Sequence, residues 1–278
     1  RIHSSTSLPY PTPPISQRGD GGKREDGGEE IDRESSLATI EEPSSGKSST
    51  SCCASLSFSW LPIALQLGDS ALPTGGFAHS CGLEAAFQLG VVKRGDEEAL
   101  VTFVEASAHT HASLYAPFAK AAHESCSSND DDERLSTLDA GLESLLDTHG
   151  PARLASRRQG AAIVRVAESL LEGSHQIKAE HGAVAFGALA ARLGLPAMAA
   201  SVVFAHSATR DAFSAAVRLN IVGPLRAIAL QASVLEKQAR HLALVHDSLD
   251  FEAAATTSPL VDAVHSAHNL LEMRLFQS

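Results

Sequence analysis

The stretch LQLGDSALPTGGFAHS, from Leu65 to Ser80, interrupts apolar helical sequence with a proline and a Gly-Gly pair. Pro73 fixes the chain direction, and Gly75 and Gly76 permit backbone shapes that other residues resist. Three readings compete: a phosphate-binding loop, a catalytic elbow, or a structural turn that another protein reads. A phosphate loop of the Walker type needs Lys-Ser/Thr directly after its glycines and a strand before them. Here Phe77 and Ala78 follow, and a helical pattern precedes. A nucleophile elbow needs Gly-x-Ser-x-Gly at a strand-to-helix turn, which this stretch does not contain. Asp69, Ser70 and His79 are left as a motif-free hydrolytic candidate. As a turn, the stretch lets Phe77 anchor in the core or in a partner, while His79 or Ser80 caps the next helix.

Around this stretch the composition favours helices. Of 278 residues, 44% are hydrophobic and only 5% aromatic, with Ala and Leu carrying the apolar content. Those two residues lose little side-chain freedom in a helix, whereas strands draw on β-branched and aromatic residues. The formal net charge of −11 argues against a nucleic-acid surface and for a basic protein partner. Cys52, Cys53, Cys81 and Cys126 form no CxxC pair, so a reducing, cytoplasmic compartment is the simpler reading. No apolar run approaches the roughly 20 residues of a membrane helix. The first residue is Arg1 rather than Met, which leaves open that the sequence is a fragment.

Residues 1–56 read as a disordered arm rich in Ser, Pro, Gly and mixed charge, and so dispensable for folding. From residue 57 onward the apolar spacing predicts one all-α domain of roughly eight to ten helices. Pro117 should kink or end the helix that begins after Asp96. Leu154, Ile163, Val166 and Leu170 are spaced for one buried face. HGAVAFGALAARLG is rich in small residues, which lets a neighbouring helix approach. The segment from Leu195 to Gly223 is apolar nearly all round, hence central. The last helix is expected to run to Phe276.

Metal chemistry has one weak candidate pair. His265 and His268 share a helical face, whereas His109 and His111 point about 200° apart. No Cys or carboxylate completes a tetrahedral set around either pair. The acid run Asp130–Glu133 lacks the glycine and terminal Glu of a calcium loop. SRRQG, with Arg157 and Arg158, is a local basic patch that suits either helix surface or partner contact.

LQLGDSALPTGGFAHSCGLEAA resembles the signature of UreF-type urease accessory proteins. The similarity continues through LASRRQGAAIVRVAESL, HGAVAFGALAARLGL, SAAVRLNIVGPLRAIALQ and SPLVDAVHSAHNLLEMRLFQS, five pieces in the family's order. Two positions depart from it: Asn269 where many relatives carry an acid, and Met273 where a small polar residue is usual. The resemblance implies an all-helical, non-enzymatic helper of urease maturation. It implies UreD/UreH-type and UreG-type (GTPase) partners, delivery of nickel to apo-urease, and in some members a homodimer. Nickel would then be cargo in transit, with no tightly bound cofactor. On this reading the partner-binding candidates are Gly75, Gly76, Phe77, His79, Ser80, Arg157, Arg158, Arg274, Leu275 and Phe276. Residues 274–276 are expected to be a docking element outside the core, because helix ends fray. The alternative is a metal-binding or hydrolytic enzyme using the histidines and the Asp69–His79 loop.

Overall fold

Ala and Leu at helical spacing build ten α-helices in a computed structural model that describes residues 58–126, 131–171 and 176–278. They are α1 (Leu61–Leu67), α2 (Leu83–Gln88), α3 (Glu97–Thr110), α4 (Ala116–Ser125), α5 (Asp131–Leu146), α6 (Gly150–Leu170), α7 (Gly182–Arg192), α8 (Ala197–Arg218), α9 (Pro224–Val245) and α10 (Pro259–Ala267). Among the described residues there is no strand. The arm expected at 1–56 lies outside them.

Local chemistry sets the helix ends. Asp96 caps α3 by accepting the Ala99 N–H at 3.0 Å. The expected kink at Pro117 takes the form of a π-helical turn, His111–Tyr115, that joins α3 to α4. Proline offers no N–H to the carbonyl four residues back, and the freed Ser113 carbonyl accepts from Ala255 N–H instead.

Two large apolar clusters and a small third, with Ala112, Ala116, Ala205 and Leu242, fill the interior. The first large one gathers Phe118, Leu142, Ile163 and Leu189 from α4 to α7. The second gathers Leu83, Leu100, Phe103 and Phe213 from α2, α3 and α8, together with Val264 of α10 and Phe276. The small-residue helix α7 is the most enclosed, with every residue from Gly182 to Ala190 buried. A side chain at Gly187 would collide with the Ala119 carbonyl, so glycine there lets α4 and α7 cross closely. The long α8 touches α1, α2, α3, α4, α7 and α9, which bears out its central placement.

Two expectations are corrected. Leu154 is exposed, so the buried face of α6 is carried by Ile163, Val166 and Ala167. The last helix stops at Ala267, a short 3₁₀ turn covers His268–Leu270, and residues 271–278 run on without helix.

Candidate functional site

Gly75 stands in the left-handed region at φ 79°, and Gly76 opens a single 3₁₀ turn, Gly76–Ala78. A Cβ on Gly76 would overlap the Asp211 carboxylate of α8, so the second glycine serves a close approach. The pair therefore seats the loop on α8. The turn leaves Phe77 outside, 65% exposed, and carries His79 and Ser80 into the interior.

There the loop meets the C-terminal segment. The Ser278 carbonyl accepts from Ser80 N–H at 2.7 Å and from the Ser80 hydroxyl at 2.8 Å. Gln277 N–H donates to the Ala78 carbonyl at 2.8 Å, and His79 Nδ1 lies 2.7 Å from Ser278 Oγ. Ser80 Oγ also accepts Glu84 N–H at 3.3 Å, helping to cap α2 as the sequence suggests. Glu84, buried in the first turn of α2, completes the latch. Its carboxylate accepts Leu275 N–H at 2.6 Å and Phe276 N–H at 3.1 Å, and His268 Nε2 stands 3.1 Å away. A buried carboxylate with this many partners is well compensated.

Arg218, in the last turn of α8, binds loop and tail together. Its guanidinium lies 3.6 Å from the Phe77 ring centroid and 4.3 Å from that of Phe276. Its Nη1 donates to the Phe77 carbonyl at 2.6 Å. Both ring distances fall well inside the range of cation–π attraction. Arg158 Nη1 adds a bond to Gln277 Oε1 at 2.7 Å.

The expectation that residues 274–276 lie outside the core therefore holds only in part. Phe276 is 4% exposed and belongs to the second apolar cluster. The latch supplies hydrogen-bond partners to residues 275–278 and holds that segment against the loop and α2. Leu275 remains 65% exposed beside Arg274, with Leu270 and Met273 also facing out. Tail and loop thus form one platform: apolar Phe77, Leu270, Met273 and Leu275 stand exposed, and Arg158, Arg218 and Arg274 are set among the acids Glu272, Asp211 and the buried Glu84.

Arg157 is not part of it. It bonds Glu143 at 3.2 Å and Glu180 at 2.7 Å, inside a separate brace between α5, α6 and the start of α7. In that brace His181 Nδ1 lies 3.0 Å from Ser156 Oγ, and its Nε2 lies 2.9 Å from Glu143 Oε2. The order Ser–His–Glu imitates a hydrolytic relay. However, Ser156 sits inside α6, where neighbouring amides are engaged in the helix, and Glu143 is already held by Arg153 and Arg157. Asp69, Ser70 and His79 do not form a relay either. Asp69 Oδ1 accepts Ala71 N–H at 2.8 Å, Ser70 is exposed, and His79 is committed to Ser278.

The pair His265 and His268 diverges. His268 turns to Glu84, whereas His265 lines an interior cavity with Cys81, His111, Tyr115 and His149. Burial holds His111 down to about 4 and His265 to about 3, and pushes the Cys81 thiol up to about 12. Burial, with Arg158 and His268 nearby, lowers His79 to about 4. These groups are neutral at pH 7. Among the described residues no set of three or more His, Cys, Asp or Glu is arranged to hold a metal ion.

Glu84, Arg218 and Ser278 are the site residues the sequence reading missed. An acid in the apolar run CGLEAAF was the one local signal for Glu84, while nothing local distinguishes Arg218.

Comparison with known proteins gives the family. The UreF family model matches residues 95–235. Urease accessory protein F of Oryza sativa subsp. japonica is 37% identical over 224 residues, covering 76% of this chain and 82% of the relative. Urease accessory protein F of Arabidopsis thaliana is 36% identical over 233 residues, covering 77% and 90%. Urease accessory protein UreF of Mycobacterium tuberculosis (strain ATCC 25177 / H37Ra) is 30% identical over 224 residues, covering 78% and 99%. With a family match over half its length and relatives 36–37% identical of which it covers more than four-fifths, this chain belongs to the UreF family.

Proposed function

We propose that this chain acts as a non-enzymatic accessory protein in urease maturation, working by protein–protein contact within the urease accessory complex. Its relatives carry the name urease accessory protein F. The observation that supports contact as the mode of action is the latched tail. Four large apolar side chains stand exposed on a platform that the interior holds in place. Rigid apolar anchors with arginines beside them are what a binding hot spot uses.

The partners on this reading are a UreD/UreH-type accessory protein and a UreG-type GTPase, which together pass nickel to apo-urease. Nickel is then cargo of the assembly rather than a resident ion. The setting is the cytoplasm; among the described residues no helix is long and apolar enough to cross a membrane. Modulation of the GTPase would act through its conformation, since Arg158 and Arg218 are spent on the tail and loop rather than extended as fingers.

The test is retention of purified UreD/UreH-type and UreG-type proteins from the same species. Wild type should hold them, and Leu275→Asp should lose one of them by at least about tenfold with an unchanged melting curve, because the side chain is exposed. Wild-type retention of neither partner contradicts the proposal.

A further inference from the structure

His109 and His241 meet where α3 packs on α9, their ring centroids 4.8 Å apart and their planes tilted by 31°. Along α3, His109 points away from His111, yet the fold brings it to a histidine of another helix. Two imidazole nitrogens bound to one ion at about 2.1 Å and about 90–110° place their ring centres about 4.5–5.5 Å apart. The observed spacing falls inside that range. An outer shell is in place as well. His109 Nδ1 lies 3.1 Å from Thr257 Oγ1, which stands 3.4 Å from Thr110 Oγ1. An Nδ1–H donated to Thr257 leaves the lone pair on Nε2, the arrangement metal-ligating histidines use. Among the described residues neither ring nitrogen of His241 is hydrogen-bonded. Both rings line a pocket of about 210 Å³ together with Glu105, Lys237 and Gln238. Gln238 is 7% exposed, and its Nε2 has no partner. Buried donors are rarely left so. Glu105 lies one turn before His109, and its Oε1 accepts from Lys237 Nζ at 2.6 Å. That lysine is largely exposed and can turn to water. No set of three ligands is therefore assembled in this conformation, but two imidazoles are preset and a carboxylate stands one salt bridge away.

We infer that His109 and His241 form a binding site for a divalent transition-metal ion of the zinc class, with Glu105 drawn from Lys237 as third ligand and water in the remaining positions. Two imidazoles with one carboxylate suit such an ion, whereas magnesium and calcium take oxygen ligands. The Gln238 amide on the pocket wall then donates to a metal-bound water, which supplies the acceptor it lacks. Because positions stay open to water, the ion exchanges with solvent, unlike one in a closed site of four protein ligands. Bound there, it ties α3 to α9 through residues that the tail latch does not use. The site needs no partner protein, so it stands or falls independently of the assembly reading above.

The experiment titrates the full chain with zinc chloride alone and follows the assigned imidazole signals by NMR, with calorimetry for the affinity. Zinc should shift the His109 and His241 signals together, at micromolar concentration, and magnesium should move neither. His109→Asn and His241→Asn should each weaken this step by at least about tenfold, and the double variant little further. Glu105→Gln should weaken it less. Lys237→Gln should tighten it severalfold, because it frees Glu105 and removes a like charge beside the ion. Zinc should also raise the melting midpoint of the wild type but not of either Asn variant. That comparison separates loss of the ion from any loss of ring stacking, which would lower the midpoint with or without zinc. Unmoved His109 and His241 signals at millimolar zinc overturn the inference. So does a shift of one ring without the other, wild-type zinc affinity in either Asn variant, or weaker binding by Lys237→Gln.

Discussion

The tail latch and the α5–α6–α7 brace use the same chemistry to different ends. Each joins histidine, a carboxylate and a serine: His79 and His268 with Glu84 and Ser278 in the latch, His181 with Glu143 and Ser156 in the brace. Neither is laid out as a hydrolytic relay. In the brace the carboxylate is partly open to water and shared with two arginines, so it has alternatives. In the latch Glu84 is 2% exposed, and its partners are two backbone amides nearly two hundred positions along the chain together with one histidine. The lesson is that burial, more than residue type, decides how much a polar network matters to the fold.

The contrast breaks most visibly at Phe276. Phe276→Ala should destabilise the protein by about 3–5 kcal/mol, the usual cost of a large aromatic removed from a core, read as a lowered denaturant midpoint. Leu275→Ala beside it should leave the midpoint nearly unchanged. Equal effects would mean the tail is not packed as described.

The carboxylates give the next largest difference. Glu84→Ala leaves the buried Phe276 amide and the Leu275 amide without an acceptor and should cost about 2–4 kcal/mol. Glu143→Ala should cost about 1–2 kcal/mol, because its arginines can turn to water and only the buried His181 Nε2 loses a partner. A larger loss at Glu143 would reverse the comparison.

Arg218→Met keeps the stem but removes the charge between two rings. It should cost about 1–2 kcal/mol and should also weaken binding at the platform by releasing Phe77. A stability loss with full partner affinity would mean that loop and tail are held independently.

Acid separates the two networks by a smaller margin. The pKa of His79 is lowered in the fold to about 4 from 6.5, so the unfolded chain binds more protons between those values. Its contribution is complete above about pH 6.5 and is lost as pH falls toward 4. His181 is also lowered by burial, but Asp139 and Glu143 oppose the shift. Replacing His79 by Gln should therefore flatten the acid side of the stability curve more than replacing His181 does.

Much of this was legible in the sequence. Helix spacing, the Asp96 cap and the Pro117 interruption follow from local chemistry, and the Gly-Gly turn announced a backbone constraint before its partner Asp211 was known. The tail was not legible as core. A terminus rich in apolar residues reads as frayed unless one sees the buried acceptor waiting for it, and Glu84 lies nearly two hundred residues away. Arg218 escaped for the same reason, since a cation in the last turn of a helix ordinarily answers only the helix dipole. Leu154 fits the helical period yet faces out, because a period marks a stripe and not its neighbour.

Hydrogen exchange of the C-terminal amides in the isolated protein tests the central claim most directly. The latch places the Leu275 and Phe276 amides on Glu84 and the Gln277 amide on the Ala78 carbonyl. These three should be protected as strongly as amides of α2 without any partner present, and Glu84→Ala should release them together. Exchange at the rate of a free peptide in the wild-type chain would contradict the account, making the tail an element that only a partner orders.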